Sequence, residues 1–210
     1  MSPVNEGGKR AAKARQTRLR MLRAAGELFV ERGYGATPLQ DIADRAGVAV
    51  QTIYFTFRNK RTLLKEVVDT AIGGDDEPIA VMDRPWFRDA LDAETAEDQL
   101  RAHIAGSRQV LERVARITEM VRIAAAGDPE IAGLWQADTH PRYPVQESVA
   151  KTLMSKPGAR ADVSAEHAAD VLFGLLSPEL YLILVRDCGW PSERWEQWAF
   201  ETLCTQLCQA

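Results

Sequence analysis

The stretch TPLQDIADRAGVAVQTIYFTFRNK, residues 37–60, decides how the N-terminal part of this chain folds. It contains two short amphipathic helical patterns joined at Gly47, a residue that readily takes the positive φ required at a sharp turn between helices. Thr37 is a predicted N-cap and Pro38 a predicted first helical residue. The second pattern, from about residue 49 to 55, buries one apolar side and turns a mixed polar side outward. This arrangement is typical of a helix-turn-helix, whose second helix enters the major groove of DNA.

The outward side of the second helix, together with residues that flank the two helices, provides the candidates for DNA contact. Its side chains combine hydrogen-bonding groups with small apolar ones, which suits base edges, thymine methyls and phosphates. The candidates are Thr37, Val50, Gln51, Thr52, Tyr54, Thr56, Asn59 and Lys60. We expect Val50 and Gln51 to lie nearest the bases. We expect Thr52, Tyr54 and Lys60 to bind phosphates, because a basic run and a helix N-terminus follow.

Two groups of residues carry a resemblance to a known family. The first group is Tyr54-Phe55-Thr56-Phe57-Arg58-Asn59-Lys60, an aromatic Tyr-x-x-Phe followed by Asn-Lys. The second group comprises Met21-Leu22, Ala24-Ala25, Leu28-Phe29 and Gly33-Tyr34. In both groups the chain resembles the TetR family of bacterial transcriptional regulators, over roughly residues 15–71. Ala49 departs from the family, which often has a serine there as the helix cap.

The resemblance implies an all-α fold in two parts. An N-terminal three-helix helix-turn-helix domain binds DNA, and a helical C-terminal domain binds a ligand and forms the dimer. Residues 1–14 lack apolar periodicity and carry basic residues, so we expect a disordered basic arm that adds attraction to phosphates. We place the DNA-binding domain at residues 15–72 and the ligand-binding and dimerisation domain at residues 79–210, separated by the turn-forming sequence GGDDEP.

Charge is distributed unevenly along the chain. Residues 1–71 contain 13 Lys/Arg and 7 Asp/Glu, whereas the remaining residues contain 13 and 23, for a net charge of −4 overall. This asymmetry favours a basic DNA-reading part on an acidic body. The first twenty residues hold no signal-peptide core, and no uninterrupted apolar run approaches the ~18 residues that cross a bilayer. We therefore expect a cytoplasmic protein without a membrane partner.

The C-terminal part shows long helical patterns with one interruption. The longest runs from about residue 93 to 126 and predicts the spine of the domain. Asp128 and Pro129 predict the start of another helix, which the prolines at 141 and 144 should kink or break. Helical patterns resume at 145–154, from Ser164 and after Pro191.

The resemblance implies a ligand cavity among the central helices of this part. The candidate lining residues are Trp86, Met120, Trp135, His140, Tyr143 and Phe173, then Tyr181, with Glu119 or Arg122 as a charged anchor. The interrupted segment around His140 is the preferred position, since a broken helix leaves unpaired backbone groups. In the family the last two helices form a four-helix bundle with a second subunit. The resemblance therefore implies a homodimer and a palindromic double-stranded operator.

Two other functions are open at this stage. The protein could be a ligand-independent regulator whose pocket is filled by side chains. It could also be a small helical enzyme that uses the His140 region, although no catalytic triad order, glycine loop or metal spacing supports this. Cys188, Cys204 and Cys208 show no spacing typical of a metal site, so no metal and no cofactor is predicted. The one-turn spacing of the last two leaves redox sensing open.

Overall fold

The computed structural model describes residues 4–134 and 142–209. Within these ranges the regular structure is helical, and the only strand-like feature is an isolated bridge between Ala159 and Cys208. The helices are α1 (Val4–Arg32), α2 (Leu39–Ala46), α3 (Val50–Phe57), α4 (Lys60–Gly73), α5 (Pro85–Leu91), α6 (Ala96–Gly127), α7 (Pro129–Ala132), α8 (Tyr143–Leu153), α9 (Ala165–Leu175), α10 (Pro178–Leu182) and α11 (Ser192–Leu207). A 3₁₀ turn (Val81–Asp83) precedes α5, and a π-helical segment (Ile183–Asp187) follows α10. The all-α fold class is confirmed.

The first helix corrects the expected disordered arm. We expected disorder over residues 1–14, whereas α1 begins at Val4. Extending a helix adds one hydrogen bond per residue without a new nucleation cost, and the sequence KRAAKA is rich in strong helix formers. An ion pair between Arg15 Nε and Asp76 Oδ2 (2.8 Å) further holds α1 against the segment after α4. The basic residues at the start of the chain therefore project from a helix.

The predicted N-cap at Thr37 is also wrong. The cap of α2 is Pro38, which makes no side-chain capping bond. The Thr37 side chain is instead fully buried, and its hydroxyl donates to the Gly33 carbonyl at 2.8 Å, with the Leu28 carbonyl at 3.2 Å. Thr37 thus ties the end of α1 to the start of α2, because a buried hydroxyl has to find an acceptor.

The spine helix α6 lies close to its predicted bounds. Thr95 caps it by accepting a hydrogen bond from Asp98 N at 3.1 Å. Asp128 caps α7 in the same way, by accepting a hydrogen bond from Glu130 N at 2.9 Å, as the Asp-Pro pair predicted. Tyr143 begins α8, with Pro144 accommodated in the first turn where no intrahelical N–H is needed.

The hydrophobic residues form two clusters. The head cluster joins α1–α4, and the body cluster joins α5, α6 and α8–α11. Met120 of α6 and Ile131 of α7 belong to the head cluster although both follow the predicted domain boundary. The α6 spine therefore runs from the core of the body into the core of the head.

The segment between the two parts is held by charged side chains. Arg84 binds Asp75 with two hydrogen bonds of 2.6 and 3.0 Å, and this pairing lowers the pKa of Asp75 to about 2. Arg113 of α6 donates to the Ala71 carbonyl oxygen at the end of α4, at 3.0 Å. These contacts tie the end of the head to the body.

The apolar segment Ala165–Asp187 requires one further correction. Although we expected no such run, this helical stretch of 23 residues is long enough to cross a membrane, and an 18-residue window within it has a mean hydropathy of 1.7. Length and composition are weak evidence here, because core helices pass the same criterion. The stretch is also divided, since Ser177 caps the new helix α10 and a π-helical segment follows.

Candidate functional site

The helix-turn-helix is formed by α2 and α3. Gly47 ends α2 in the left-handed conformation (φ 65°, ψ 45°), and Val48 N donates to the Ala43 carbonyl at 3.0 Å. The reversed chain then enters α3, whose Ile53 and Phe57 are buried in the head cluster. These two anchors fix which side of α3 is turned to solvent.

The outward side of α3 carries exposed Gln51, Tyr54 and Phe55. The Tyr54 side chain is 53% exposed and Phe55 is 91% exposed, the highest value among the exposed large apolar residues of the described chain. Burying an aromatic ring of this size on a partner stabilises the complex, whereas in the free protein it lies in water. Phe55 was absent from our candidates, although it lies four residues after Gln51 and hence on the same side.

The other candidates on α3 are less accessible. Val50 and Thr52 are partly buried, and Val50 packs against the head cluster. Thr56 is partly buried as well, and its hydroxyl donates to the Thr52 carbonyl at 2.7 Å. Thr37, also a candidate, is fully buried and cannot present its side chain to DNA. Among the candidates on α3, Gln51 and Tyr54 are therefore the side chains most accessible to a partner.

A groove beside α3 brings two helix N-termini together. It is lined by Pro38, Leu39, Gln40, Val50, Tyr54, Asn59 and Lys60. The first N–H groups of α2 have no side-chain acceptor from the cap, so they are available to an anion. Asn59 caps α4 by accepting from Thr62 N at 2.9 Å, which leaves its NH₂ group for another acceptor. The groove has the donors that a phosphate requires.

Lys60 lies at the edge of this groove. Its ammonium group donates to the Tyr34 carbonyl oxygen and lies 4.3 Å from the centre of the Tyr34 ring. Burial of the ammonium lowers the pKa of Lys60. The neighbouring Arg61 forms an ion pair with Glu130 of α7 at 2.6 Å. Part of the positive charge predicted for phosphate thus also connects α4 to other helices.

Arg58 occupies an unusual backbone conformation between α3 and α4. Its φ of 64° and ψ of −48° make it the one non-glycine residue with positive φ in the described chain. Asn59 N donates to the Phe57 carbonyl at 2.7 Å, which closes a three-residue γ-turn around Arg58. A side chain in this conformation costs on the order of 1–3 kcal/mol. Arg58 is exposed, and it belongs to the basic run for which the sequence predicted a phosphate, so it is a further functional candidate next to α3.

The ligand candidates in the body fall at separate places. The Trp86 ring stacks on the buried His103 ring (6.4 Å between centroids) and covers Gly106, where an added Cβ would lie 2.1 Å from the indole. Tyr143 and Phe173 form an edge-to-face pair at 5.5 Å, and the Tyr143 hydroxyl donates to Asp170 at 2.9 Å. Among the aromatic candidates within the described residues, the structure pairs only Tyr143 with Phe173.

The remaining ligand candidates lie elsewhere or outside the described residues. Met120 belongs to the head cluster and lines a cavity between head and body, beside Glu119. Tyr181 packs on Trp195 at 5.1 Å inside the body. Trp135 and His140 lie outside the described residues. The predicted break at residues 139–144 lies only partly within them, and there Tyr143 and Pro144 form the first turn of α8.

The redox interpretation of the last two cysteines receives no support from their surroundings. Burial, followed by the adjacent Cys204, raises the pKa of Cys208 to about 12. The thiolate is the form that reacts with oxidants, and it is scarce at neutral pH when the pKa is this high. Cys208 also lies in the backbone bridge with Ala159, which holds the end of the chain against the loop before α9.

Comparison with known proteins gives matches of two kinds. The family model described as "Bacterial regulatory proteins, tetR family" matches residues 21–67, which contain the helix-turn-helix. The HTH-type transcriptional regulator TtgR of Pseudomonas putida is 40% identical over 57 residues, 27% of either chain. The transcriptional activator FasR of Mycolicibacterium smegmatis is 41% identical over 63 residues, 28% of this chain and 29% of FasR. The matches therefore span less than a third of these curated relatives.

The whole chain is similar in fold to solved regulators. A transcriptional regulator from Saccharomonospora viridis, solved in complex with choline, superposes with a TM-score of 0.69 over 93% of this chain and 99% of that chain. The two are 19% identical, so the likeness concerns the fold alone. The fold is thus similar over most of both chains, at a low sequence identity.

Proposed function

This chain belongs to the TetR family of bacterial transcriptional regulators, and we propose that it is a homodimeric, sequence-specific DNA-binding protein of the cytoplasm. In this proposal α3 reads an operator, and a small molecule bound in the C-terminal part changes operator affinity. Repression is the proposed outcome, released when the ligand binds. The protein would then act by binding rather than by catalysis.

The outward side of α3 is the observation that carries the proposal. Gln51, Tyr54 and Phe55 project from a helix whose opposite side is anchored by buried Ile53 and Phe57. A glutamine can pair with an adenine edge, and a phenyl ring can contact a thymine methyl. Beside them, the groove between α2 and α4 offers N–H groups and Lys60 for the DNA backbone.

The dimer proposal rests on the last helices of the body. Trp195 of α11 is fully buried within the protomer and belongs to the body cluster, whereas other apolar residues of this region are exposed. Ile183 is 50% exposed, and Trp198 is partly exposed against Trp190. Burying such residues between two copies would remove apolar surface from water. Two heads on a two-fold axis would then address two half-sites of a palindrome.

The route from ligand to DNA follows α6 in this proposal. One end of α6 lies in the body cluster, and Met120, near its other end, lies in the head cluster. A ligand that prefers one position of α6 shifts the equilibrium between two spacings of the heads, by as much as its affinities for the two states differ.

A fluorescence-anisotropy titration against DNA tests this function. The full-length protein is titrated with the intergenic duplex beside its own gene and with a scrambled duplex, at two salt concentrations. We expect saturable binding to the native duplex at a salt concentration that abolishes binding to the scrambled one. Equal affinity for both duplexes, with the same salt dependence, would contradict sequence-specific recognition.

Three variants separate the roles within the interface. Gln51→Ala and Phe55→Ser should lower the ratio of specific to non-specific affinity, by about 1–3 kcal/mol for a lost base contact. Gln109→Ala, an exposed residue of α6 in the body, is the control and should bind both duplexes normally. If the two α3 variants retain the wild-type ratio, α3 is not the reading helix.

A further inference from the structure

A cavity lies where the head meets the body. It has a volume of about 330 Å³ and lies between the end of α1, with the turn that follows it, and one side of α6. The residues from α6 are Arg116, Glu119, Met120, Ile123 and Ala124, spaced so that they fall on a single side of the helix. Arg186, at the end of the π-helical segment, also lines it. The volume is at the lower end of the range for small-molecule sites.

The cavity wall combines apolar side chains with arginines. Ile123 is 66% exposed, and Val30 of α1 and Met120 lie on the same lining. When an apolar ligand covers an exposed isoleucine in a concave site, the side chain is removed from water, which stabilises the complex. Such a lining favours a ligand with a hydrocarbon part.

The charges of the lining leave one arginine without a partner. Arg186 Nη1 binds Glu119 Oε2 at 2.6 Å, and Arg32 Nη1 binds Asp41 Oδ2 at 2.7 Å. Arg116, by contrast, forms no ion pair within residues 4–134 and 142–209. An arginine presents two parallel N–H donors to a carboxylate, whereas a cation would meet three guanidinium groups and one carboxylate here.

We propose that this junction cavity binds a small amphipathic carboxylate, with its carboxylate on Arg116 and its apolar part against Val30, Met120 and Ile123. The carbonyl end of the α1 dipole lies on the opposite wall, which places the negative group at the α6 side. A ligand in this position touches both α1 of the head and α6 of the body. Its effect on DNA binding rests on the proposed function, whereas the binding itself does not.

Isothermal titration calorimetry on the full-length protein without DNA tests the site. The probes are octanoate and naphthoate, with octanol and octylamine as the neutral and cationic counterparts of octanoate. We expect at least one carboxylate to bind about tenfold or more tightly than octanol, since each tenfold corresponds to about 1.4 kcal/mol. Neither carboxylate binding at millimolar concentration, or octanol binding equally well, would overturn the proposal.

Three variants locate the binding. Arg116→Gln should weaken carboxylate binding about tenfold towards the affinity of octanol. Arg122, a charged-anchor candidate of the sequence, lies at an exposed position of α6 outside the cavity, so it is not part of this site. Arg122→Gln therefore removes the same charge and should change nothing. Ile123→Trp should block the site, and its exposed position allows the variant to fold, as an unchanged unfolding midpoint would verify. Equal effects of the two arginine variants would place the carboxylate elsewhere.

The DNA titration distinguishes this site from the proposed function. In the wild type, the binding carboxylate should shift operator affinity, and in Ile123→Trp it should not. If calorimetry shows Arg116-dependent binding while the protein binds no DNA, the site stands and the proposed function fails. If operator affinity does not change with the carboxylate bound, the regulatory role of the site is overturned.

Discussion

The Nε2 atom of His103 on α6 lies 3.0 Å from the side-chain oxygen of Gln146 on α8, inside the body. His103 is almost fully buried, and its Nδ1 atom has no hydrogen-bond partner among the described residues. Burial disfavours the charged imidazolium and lowers the pKa of His103 to about 4, although the bond to Gln146 acts in the opposite direction. The body is therefore built around a neutral histidine.

This histidine predicts how stability depends on pH. His103 binds a proton with a pKa near 6.5 in the unfolded chain and near 4 in the folded chain. The neutral, buried His103 therefore contributes fully to the free energy of unfolding above pH 6.5, and this contribution is lost as the pH falls towards 4. The loss amounts to about 3 kcal/mol in total. Urea unfolding at several pH values measures it. The variant His103→Gln should show a flatter dependence, and His167→Gln, exposed on α9, should match the wild type.

The position of Lys60 predicts two separable effects of its removal. Lys60→Met should weaken binding to all duplexes alike and reduce the salt slope by about 1, because a phosphate contact is independent of sequence. It should also lower stability by about 1 kcal/mol, since the ammonium binds the Tyr34 carbonyl and lies over the Tyr34 ring. Anisotropy and urea unfolding measure the two effects. Lys65→Met removes the same charge from an exposed position of α4 and should affect both much less.

The γ-turn at Arg58 predicts opposite changes in stability and DNA binding. Arg58→Gly should raise the free energy of unfolding by about 1 kcal/mol, because glycine takes positive φ without a steric penalty. The same variant should bind DNA more weakly, as one cation is lost beside α3. Arg58→Ala keeps the steric penalty and serves as the comparison. A stability gain in Arg58→Ala equal to that in Arg58→Gly would contradict the assignment of strain.

The uncapped start of α3 predicts a stabilising substitution. Ala49 is the N-cap and offers no side-chain acceptor, and Thr52 N donates to the Ala49 carbonyl at 2.9 Å. A serine hydroxyl at this position would add an acceptor for the N–H of Gln51, or share that of Thr52. Ala49→Ser should therefore raise stability by about 1 kcal/mol, as measured by the midpoint of urea unfolding. Ala49→Gly should give little of this gain. A serine variant no more stable than wild type would mean that the cap position is already satisfied.

The helical segments of this protein follow largely from local sequence patterns. The Asp-Pro pair at the start of α7, Gly47 in the turn and the long apolar periodicity of α6 each act within one or two turns of helix. Local signals failed where the outcome depended on distant residues. Thr37 looked like a cap but is buried against the end of α1, and the start of α1 continues into a segment that we expected to be disordered.

The candidate sites show the same difference between features set by local sequence and features set by distant residues. The sequence by itself determined that α3 turns Gln51 and Tyr54 to solvent, because helical periodicity alone assigns the two sides of an amphipathic helix. Only the tertiary structure decided that Phe55 is exposed, that Arg58 closes a γ-turn, and that Arg116 faces a cavity against α1. These features depend on which residues from other helices lie opposite. Contacts between residues far apart in the chain carry no periodic signal, so a single sequence does not reveal them.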